Sequence, residues 1–138
     1  MIELYRVTKI FTFEAAHKLE KGYLGKCSKL HGHSYKVEAT FEGEELDQYD
    51  MLVDFARIKC LANKYVIDKY DHTVLNDSLT VCTFNDRLNP TAEVMAKRFF
   101  QSFEDAISVK ETRERDVHVT KVRVWETADS FAEYTEER

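Results

Sequence analysis

The 138-residue sequence lacks the features that would assign it to several specialised classes of protein. No apolar run approaches the length of a membrane span, and the N-terminus has no signal-peptide pattern. The formal net charge is −5 and no cluster of lysine and arginine stands out, which argues against a nucleic-acid-binding surface. There is also no internal repeat and no low-complexity segment. We therefore expect neither a membrane nor a nucleic acid as partner.

Cysteine is scarce, and Cys27, Cys60 and Cys82 are odd in number and widely spaced. This pattern favours free thiols in a reducing compartment over a disulfide framework, so we expect a cytoplasmic protein. With 43% hydrophobic and 33% charged residues, the chain fits a single globular domain over residues 1–138. A chain of this length has little volume for a closed internal pocket. We therefore expect a substrate site at a surface groove or between subunits.

Hydrophobic periodicity predicts four strands and two helices. The strands are expected at Tyr5–Ala16, His31–Phe41, Val117–Glu126 and Ser130–Thr135. A first helix is expected from its N-cap Asp54 to about Tyr70, and a second helix begins near Pro90, capped by Asn89 or Thr91. The first would bury Phe55, Ile58, Leu61, Ala62, Tyr65 and Val66, and the second Met95, Phe99, Phe103, Ala106 and Ile107. The order ββααββ predicts an α+β fold, an antiparallel four-stranded sheet with two helices on one face.

The segment Cys27-Ser28-Lys29-Leu30-His31-Gly32-His33 carries the strongest functional signal. Side chains at i and i+2 of a strand point to the same face, so His31 and His33 could converge on one metal ion. Antiparallel pairing would bring His17, at the end of the first strand, close to them. Three imidazoles without a fourth protein ligand are typical of a catalytic zinc site, whose open position takes water or substrate. The alternative is that His31 and His33 only form hydrogen bonds in a half-buried strand.

Three roles are open to Cys27. It could be a fourth ligand, which would make the metal site structural, or a small core residue. It could also be a reactive thiolate that acts as a general base beside the metal, because Lys26 and Lys29 flank it and nearby cations favour the thiolate form. The sequence alone does not choose among these roles.

Two other polar positions have both a structural and a functional interpretation. Asp71-His72 follows the first predicted helix, where His72 could favour the helix dipole or form a proton relay with a neighbouring carboxylate. Glu126 ends the third predicted strand, where it could be solvated or could accept two parallel N–H donors from a guanidine-like ring edge. We interpret His118 as an ordinary strand residue, and Cys60 and Cys82 as inert.

Several short motifs occur in an order that is specific, although each one alone is weak. They are Phe13-Glu14-Ala15-Ala16-His17-Lys18-Leu19, Cys27-x-x-x-His31-Gly32-His33, Val53-Asp54-Phe55, Asp71-His72-x-x-Leu75-Asn76, Asn89-Pro90-Thr91-x-Glu93 and Trp125-Glu126-Thr127. Together they resemble the 6-pyruvoyltetrahydropterin synthase / 6-carboxytetrahydropterin synthase family. The resemblance covers most of the chain.

This resemblance implies a tunnelling fold (T-fold), in which subunits join their sheets edge to edge into a barrel of three. Two such rings commonly stack as a hexamer, and the active sites lie between subunits. The resemblance also implies roles for individual residues. Zn²⁺ would be held by His17, His31 and His33, the proton acceptor would be Cys27, and the candidates for the proton relay are Asp71, His72 and Glu126. The pterin's 2-amino and N3 hydrogens would be bound by Glu126, next to Thr127.

The substrate implied by the resemblance is 7,8-dihydroneopterin triphosphate, for whose phosphates Lys26 and Lys29 are candidate contacts. Only three residues separate Cys27 from His31, which resembles the bacterial carboxy-type enzymes. The resemblance therefore implies a zinc-dependent lyase that forms 6-carboxy-5,6,7,8-tetrahydropterin with loss of acetaldehyde and triphosphate, in 7-deazaguanine (queuosine) biosynthesis. A pyruvoyl synthase, which keeps the three-carbon side chain, is the alternative within the family. Outside it, the alternatives are a non-catalytic zinc- or pterin-binding protein and a zinc hydrolase.

Overall fold

The computed structural model describes residues 1–79, 82, 88–110 and 116–137. Their strands are β1 (Tyr5–His17), β2 (His31–Gly43), β3 (Thr73–Val74), β4 (Val117–Thr127) and β5 (Ser130–Thr135). Their α-helices are α1 (Phe55–Ala62), α2 (Asp68–Tyr70), α3 (Leu75–Ser78) and α4 (Ala92–Lys110). A 3₁₀ turn spans Lys26–Ser28, and a π-helical turn spans Asn63–Ile67. Within this described part of the chain, no helix is long and apolar enough to cross a membrane.

The strands form one sheet in the order β3-β1-β2-β4-β5. The pairs β1–β2, β2–β4 and β4–β5 are antiparallel, as predicted. The prediction of four strands in a purely antiparallel sheet was wrong, because β3 adds a short parallel pairing in which Ala15 faces Thr73 and Ala16 faces Val74. A strand of two residues is too short to show periodicity. The α+β class, with helices on one face, is confirmed.

The first predicted helix is confirmed as a helical segment that comprises α1, the π turn and α2 and ends at Tyr70. Asp54 caps it as predicted, because its carboxylate accepts a hydrogen bond of 2.8 Å from the Ala56 N–H. Phe55 was expected in the buried stripe but is 52% exposed. Spacing defines the apolar face of a helix, but it does not show how far along that face the packing extends.

The second predicted helix is α4, and it settles the choice between two caps in favour of Thr91. The Thr91 hydroxyl accepts a hydrogen bond from the Val94 N–H at 3.2 Å. Asn89 instead accepts a hydrogen bond of 2.7 Å from the Glu20 N–H with its side-chain oxygen. The segment before α4 is thereby tied to the segment that follows β1, and this brings Pro90 close to the end of that strand.

The core lies between the helices and one face of the sheet. At its centre Phe13 stacks on Tyr35 with ring centroids 5.1 Å apart, and Phe99 of α4 meets Phe13 edge-on at 6.0 Å. All three side chains are at most 2% exposed. Burying an aromatic side chain of this size contributes about 1.5–3 kcal/mol. Continued toward the end of β1 and the start of β2, the same face carries His17, His31 and His33.

Candidate metal and substrate site

The three predicted metal ligands converge at one end of the sheet. His17 on β1 is paired directly with His31 on β2, and His33 lies opposite Ala15. One nitrogen from each imidazole lies within 4.8 Å of the corresponding nitrogen of the other two. The Nε2 atoms of His17 and His31 are 3.1 Å apart. Ligands of a tetrahedral zinc ion bound at about 2.0 Å are separated by similar distances, so this arrangement fits a divalent metal.

Backbone carbonyl groups fix the orientation of two of these rings. The Nδ1 of His17 lies 2.7 Å from the Pro90 carbonyl oxygen, and the Nδ1 of His31 lies 2.7 Å from the Lys29 carbonyl oxygen. A carbonyl oxygen only accepts hydrogen bonds, so each Nδ1 must donate. The proton is therefore on Nδ1, and the Nε2 lone pair of each ring is directed into the cluster. Metal-binding histidines are oriented in this way by groups outside the ligand shell.

His33 contributes a nitrogen that is ready to bind a ligand. Its Nε2 is buried and has no hydrogen-bond partner among the described residues. Burial is the largest influence on its pKa and lowers it from 6.5, the neighbouring His17 and His31 lower it further, and the Glu126 carboxylate opposes them. The neutral imidazole, which is the metal-binding form, is therefore favoured near neutral pH.

Glu126 lies at the same cluster. Its Oε1 is 3.3 Å from the Nε2 of His17 and 3.6 Å from the Nε2 of His33, and its side chain is 34% exposed. An irregularity in the β4–β5 pairing falls between Trp125 and Thr127, so Glu126 has no partner residue in β5. Such a bulge re-aims a side chain at the end of a strand. The carboxylate thus combines contact with the histidines and access to solvent.

Tyr35 belongs to this site and was not identified from the sequence. Its ring centroid lies 5.5 Å from that of His33 and 6.0 Å from that of His17. Its hydroxyl is buried without a hydrogen-bond partner in the part of the chain that is described. Burial and, second, the Glu126 carboxylate raise the pKa of this hydroxyl, which stays protonated as a donor. The spacing His31, His33, Tyr35 was the signal, because alternate residues of a strand share a face.

Cys27 lies in the 3₁₀ turn that precedes β2, and it is half-buried. Its carbonyl oxygen accepts a hydrogen bond of 2.7 Å from the Leu19 N–H, which holds this turn against the segment that follows β1. Within the described ranges, the set of candidate metal ligands comprises the three histidines and does not include its Sγ. The arrangement is thus an open three-histidine site rather than a closed site with a sulfur ligand.

Asp71 and His72 lie at the β1 edge of the sheet. The Asp71 carboxylate accepts a hydrogen bond of 2.8 Å from the Glu14 N–H, and its other oxygen is 3.7 Å from the Nε2 of His72. The His72 N–H donates to the Glu14 carbonyl oxygen at 2.6 Å. His72 has a φ of +61° and a side chain that is 79% exposed. This left-handed conformation is unusual for a residue other than glycine, and here it holds the imidazole in solvent.

Within one chain, these contacts do not join Asp71 and His72 to the three-histidine cluster. His72 instead lines an open cleft of about 460 Å³ together with Glu14, Gly32, Ser34 and part of His33. Glu14, Gly32 and Ser34 alternate with the histidine-bearing positions in β1 and β2, and alternate residues point to opposite faces of a sheet. The Thr127 hydroxyl is bound within its own turn, because it donates a hydrogen bond of 2.9 Å to the Asp129 carboxylate.

The remaining predicted residues have ordinary environments. His118 lies 2.6 Å from the Asp116 carboxylate and 3.5 Å from that of Glu104, which agrees with its assignment outside the metal set. Cys60 is exposed, Cys82 is buried, and both are free thiols.

Comparison with known proteins gives a consistent assignment. The sequence profile of the 6-pyruvoyl tetrahydropterin synthase family matches residues 6–137. The 6-carboxy-5,6,7,8-tetrahydropterin synthase of Bacillus subtilis is 34% identical over 94% of this chain and 84% of its own length. The enzyme of the same name from Aquifex aeolicus is 33% identical over 96% of this chain and 99% of its own length.

Solved structures confirm the fold. The 6-pyruvoyl tetrahydropterin synthase of Caenorhabditis elegans superposes with a TM-score of 0.78 at 24% identity, over 99% of this chain and 98% of its own. The 6-pyruvoyltetrahydropterin synthase of Plasmodium vivax superposes with a TM-score of 0.73 at 18% identity, over 99% of both chains. The predicted tunnelling fold is thereby confirmed.

Proposed function

Because the chain belongs to the 6-pyruvoyl tetrahydropterin synthase family, we propose that it is a zinc-dependent 6-carboxy-5,6,7,8-tetrahydropterin synthase. In this proposal it converts 7,8-dihydroneopterin triphosphate to 6-carboxytetrahydropterin and releases acetaldehyde and triphosphate, in 7-deazaguanine (queuosine) biosynthesis. The observation that carries the proposal is the cluster of His17, His31 and His33 with the Glu126 carboxylate beside it. The names of the curated relatives support the carboxy branch, as does the short spacing from Cys27 to His31.

The donor set fits zinc. Three imidazoles, two of them held with Nε2 turned inward, are the ligands of a catalytic zinc site that keeps a fourth position for water or substrate. When bound, zinc supplies Lewis acidity, which polarises substrate oxygens and acidifies an adjacent C–H. The remaining tasks of binding, orientation and proton movement belong to the side chains.

Glu126 is the proposed pterin anchor. A carboxylate can accept two parallel N–H bonds, and the 2-amino group and N3–H of a pterin present such a pair. Its position 3.3 Å from His17 would set the anchored ring beside the metal ligands, so that the pterin's side chain can reach them. Thr127 follows Glu126 and is proposed to take part in substrate binding, after its hydroxyl leaves Asp129. The protonated Tyr35 hydroxyl offers a further donor in this pocket.

Cys27 is the proposed proton acceptor, with Asp71, His72 and Glu126 as the relay. Asp71 and His72 contact each other and Glu14 at the β1 edge, where the exposed His72 lines a cleft. We therefore assign them to an active site that is completed by a neighbouring subunit. Lys26 and Lys29 flank Cys27 and are the proposed contacts of the triphosphate.

A homo-oligomer, trimer or hexamer, forms part of the proposal. Among the described residues, the short strand β3 covers the β1 edge only at Ala15 and Ala16, which leaves the rest of that edge for another partner. The other end of the sheet is β5. Two open edges of this kind can join between subunits into a closed barrel, which removes the hazard of unpaired edge strands. The free state of all three cysteines supports a reducing, cytoplasmic location.

The decisive experiment is product analysis. Purified, zinc-loaded protein is incubated with 7,8-dihydroneopterin triphosphate, and the products are identified by mass spectrometry with a trap for acetaldehyde. We expect 6-carboxytetrahydropterin, triphosphate and trapped acetaldehyde. Triphosphate release without acetaldehyde would instead assign the pyruvoyl branch. Substrate binding without any triphosphate release would assign a non-catalytic zinc- or pterin-binding protein.

A further inference from the structure

A second cleft, of about 380 Å³, lies between the two long helical segments and is separate from the histidine cluster. One wall is formed by α1, the π turn and α2, and the other wall by α4. Its charged and aromatic lining residues are Arg57, Lys64, Tyr65, Lys69, Arg98 and Asp105. The lining thus contains four cationic side chains and one carboxylate, although the net charge of the chain is −5. A local excess of positive charge in a concave site concentrates anions.

Two of these cations share one aromatic ring. The ammonium nitrogens of Lys64 and Lys69 lie 5.4 Å and 5.6 Å from the centroid of the Tyr65 ring. Neither ammonium group forms an ion pair with a carboxylate of the described residues. Two ammonium groups without a counterion at one ring repel each other. An anion bound near both of them would attract each one and offset this repulsion.

The π turn explains why both lysines reach the same aromatic ring. In a regular α-helix, residues five positions apart point about 140° away from each other around the axis. A π turn closes through i→i+5 hydrogen bonds and brings such residues toward the same side. Here the π turn spans Asn63–Ile67, between α1 and α2, and Lys64 and Lys69 are five positions apart. Single π turns of this kind are frequent at functional sites.

Arg98 adds an unsatisfied donor to the same cleft. Its guanidinium group lies beside the Tyr70 hydroxyl, whose pKa is raised by burial and lowered in part by Arg98. Its Nε, however, is buried and has no hydrogen-bond partner in the portion of the chain that the structure describes. A buried N–H without an acceptor is costly, so a small shift of the Arg98 side chain that brings this N–H to an anionic oxygen in the cleft would be favourable.

We propose that this cleft is a binding site for a small oligophosphate anion. Such an anion presents several charged oxygens along a short chain, which can reach both ammonium groups and the Arg98 guanidinium at once. A single phosphate or sulfate ion would satisfy fewer of these donors and would bind more weakly. The site is distinct from the proposed active site, and the proposal stands whether or not the chain is a synthase.

Cys60 provides a local reporter, because it is an exposed thiol that lines the cleft. The folded, zinc-loaded protein is treated with iodoacetamide with and without inorganic tripolyphosphate, and the modification of each cysteine is measured by mass spectrometry. We expect tripolyphosphate to slow the alkylation of Cys60, with half-protection at a lower concentration than for orthophosphate. Any protection of Cys27 is scored separately, because it reports on an anion near the histidine cluster.

Two double variants with the same change in charge test the assignment. Lys64→Glu with Lys69→Glu removes the cleft's paired ammonium groups, and we expect the tripolyphosphate affinity measured at Cys60 to fall about tenfold or more. The control combines Lys59→Glu and Lys97→Glu, which lie on the same two helices, are exposed and do not line the cleft. The control is expected to bind within about threefold of the parent. Unchanged alkylation of Cys60 at saturating tripolyphosphate, or equal losses in both double variants, would overturn the proposal.

Discussion

The carboxylate of Glu126 lies 3.3 Å from the Nε2 of His17, although the two residues belong to strands that are not neighbours. β2 runs between β1 and β4, so their backbones are about 10 Å apart, twice the spacing of paired strands. Both side chains lie on the helix-facing side of the sheet and lean over β2, where His31 and His33 complete the group. The site therefore depends on the register of three strands, and single variants can separate the roles of its members.

Replacement of His31 by alanine should abolish tight zinc binding, because it removes one of three converging ligands. Zinc content after dialysis against a competing chelator, measured by plasma emission spectroscopy, is expected to fall from about one ion per chain to near zero. His118→Ala is the matched control, since that imidazole pairs with Asp116 outside the cluster. Equal zinc content in His31→Ala and the parent protein would remove this residue from the ligand set.

The Glu126→Gln substitution should weaken pterin binding far more than it affects the fold. It replaces a charged acceptor of two N–H groups by a neutral amide, and the loss of a charge-assisted contact costs about 1.5–3 kcal/mol. Fluorescence titration with a pterin, together with thermal unfolding, would measure both effects. Glu133→Gln is the control, because that carboxylate pairs with Arg123 on β4. If pterin affinity is unchanged in Glu126→Gln, the carboxylate is only a solvated strand-end residue.

Loss of the Cys27 thiol is expected to separate metal binding from turnover. In Cys27→Ala we expect a normal zinc content and a loss of most of the turnover, because the thiol lies outside the set of metal ligands but is the proposed proton acceptor. Cys60→Ala, which removes another free thiol, should leave turnover at the parent level. Parent-like turnover in Cys27→Ala would show that another group takes the proton.

Cys82 should resist alkylation at mildly alkaline pH. Burial raises the pKa of its thiol from 9.0 to about 11, so little reactive thiolate exists at pH 8. A raised pKa in the folded state also means that this thiol's contribution to stability is complete below pH 9 and is lost as the pH rises toward about 11. Iodoacetamide labelling of the native protein at pH 8, read by mass spectrometry, should modify exposed Cys60 well before Cys82. The reverse order would contradict the burial of Cys82.

Much of the architecture could be predicted because its elements are long and strongly patterned. The four longer strands were located within two residues at each end, since alternation is sustained over six residues or more. The two-residue strand β3 has too little sequence to show a pattern. The π turn at Asn63–Ile67 could not be predicted from the sequence, because the apolar residues around it keep the periodicity of a helix. The turn changes only which side chains lie on the same side of the helix axis.

The site could be predicted only as far as local spacing reaches. Spacing of two residues in β2 placed His31 and His33 together, and the pairing of β1 with β2 added His17. The approach of Glu126 could not be derived in this way, because it depends on β4 pairing with β2, a contact between distant parts of the chain. Tyr35 was missed although it continues the same alternation, since a lone aromatic residue in a strand usually serves the core.

The carbonyl groups that orient His17 and His31 belong to Pro90 and Lys29, and every amino acid carries such a group. No single substitution at either position deletes the acceptor. The orientation of these two imidazoles therefore does not depend on which side chains occupy the two positions. A substitution there can change the orientation only by displacing the main chain.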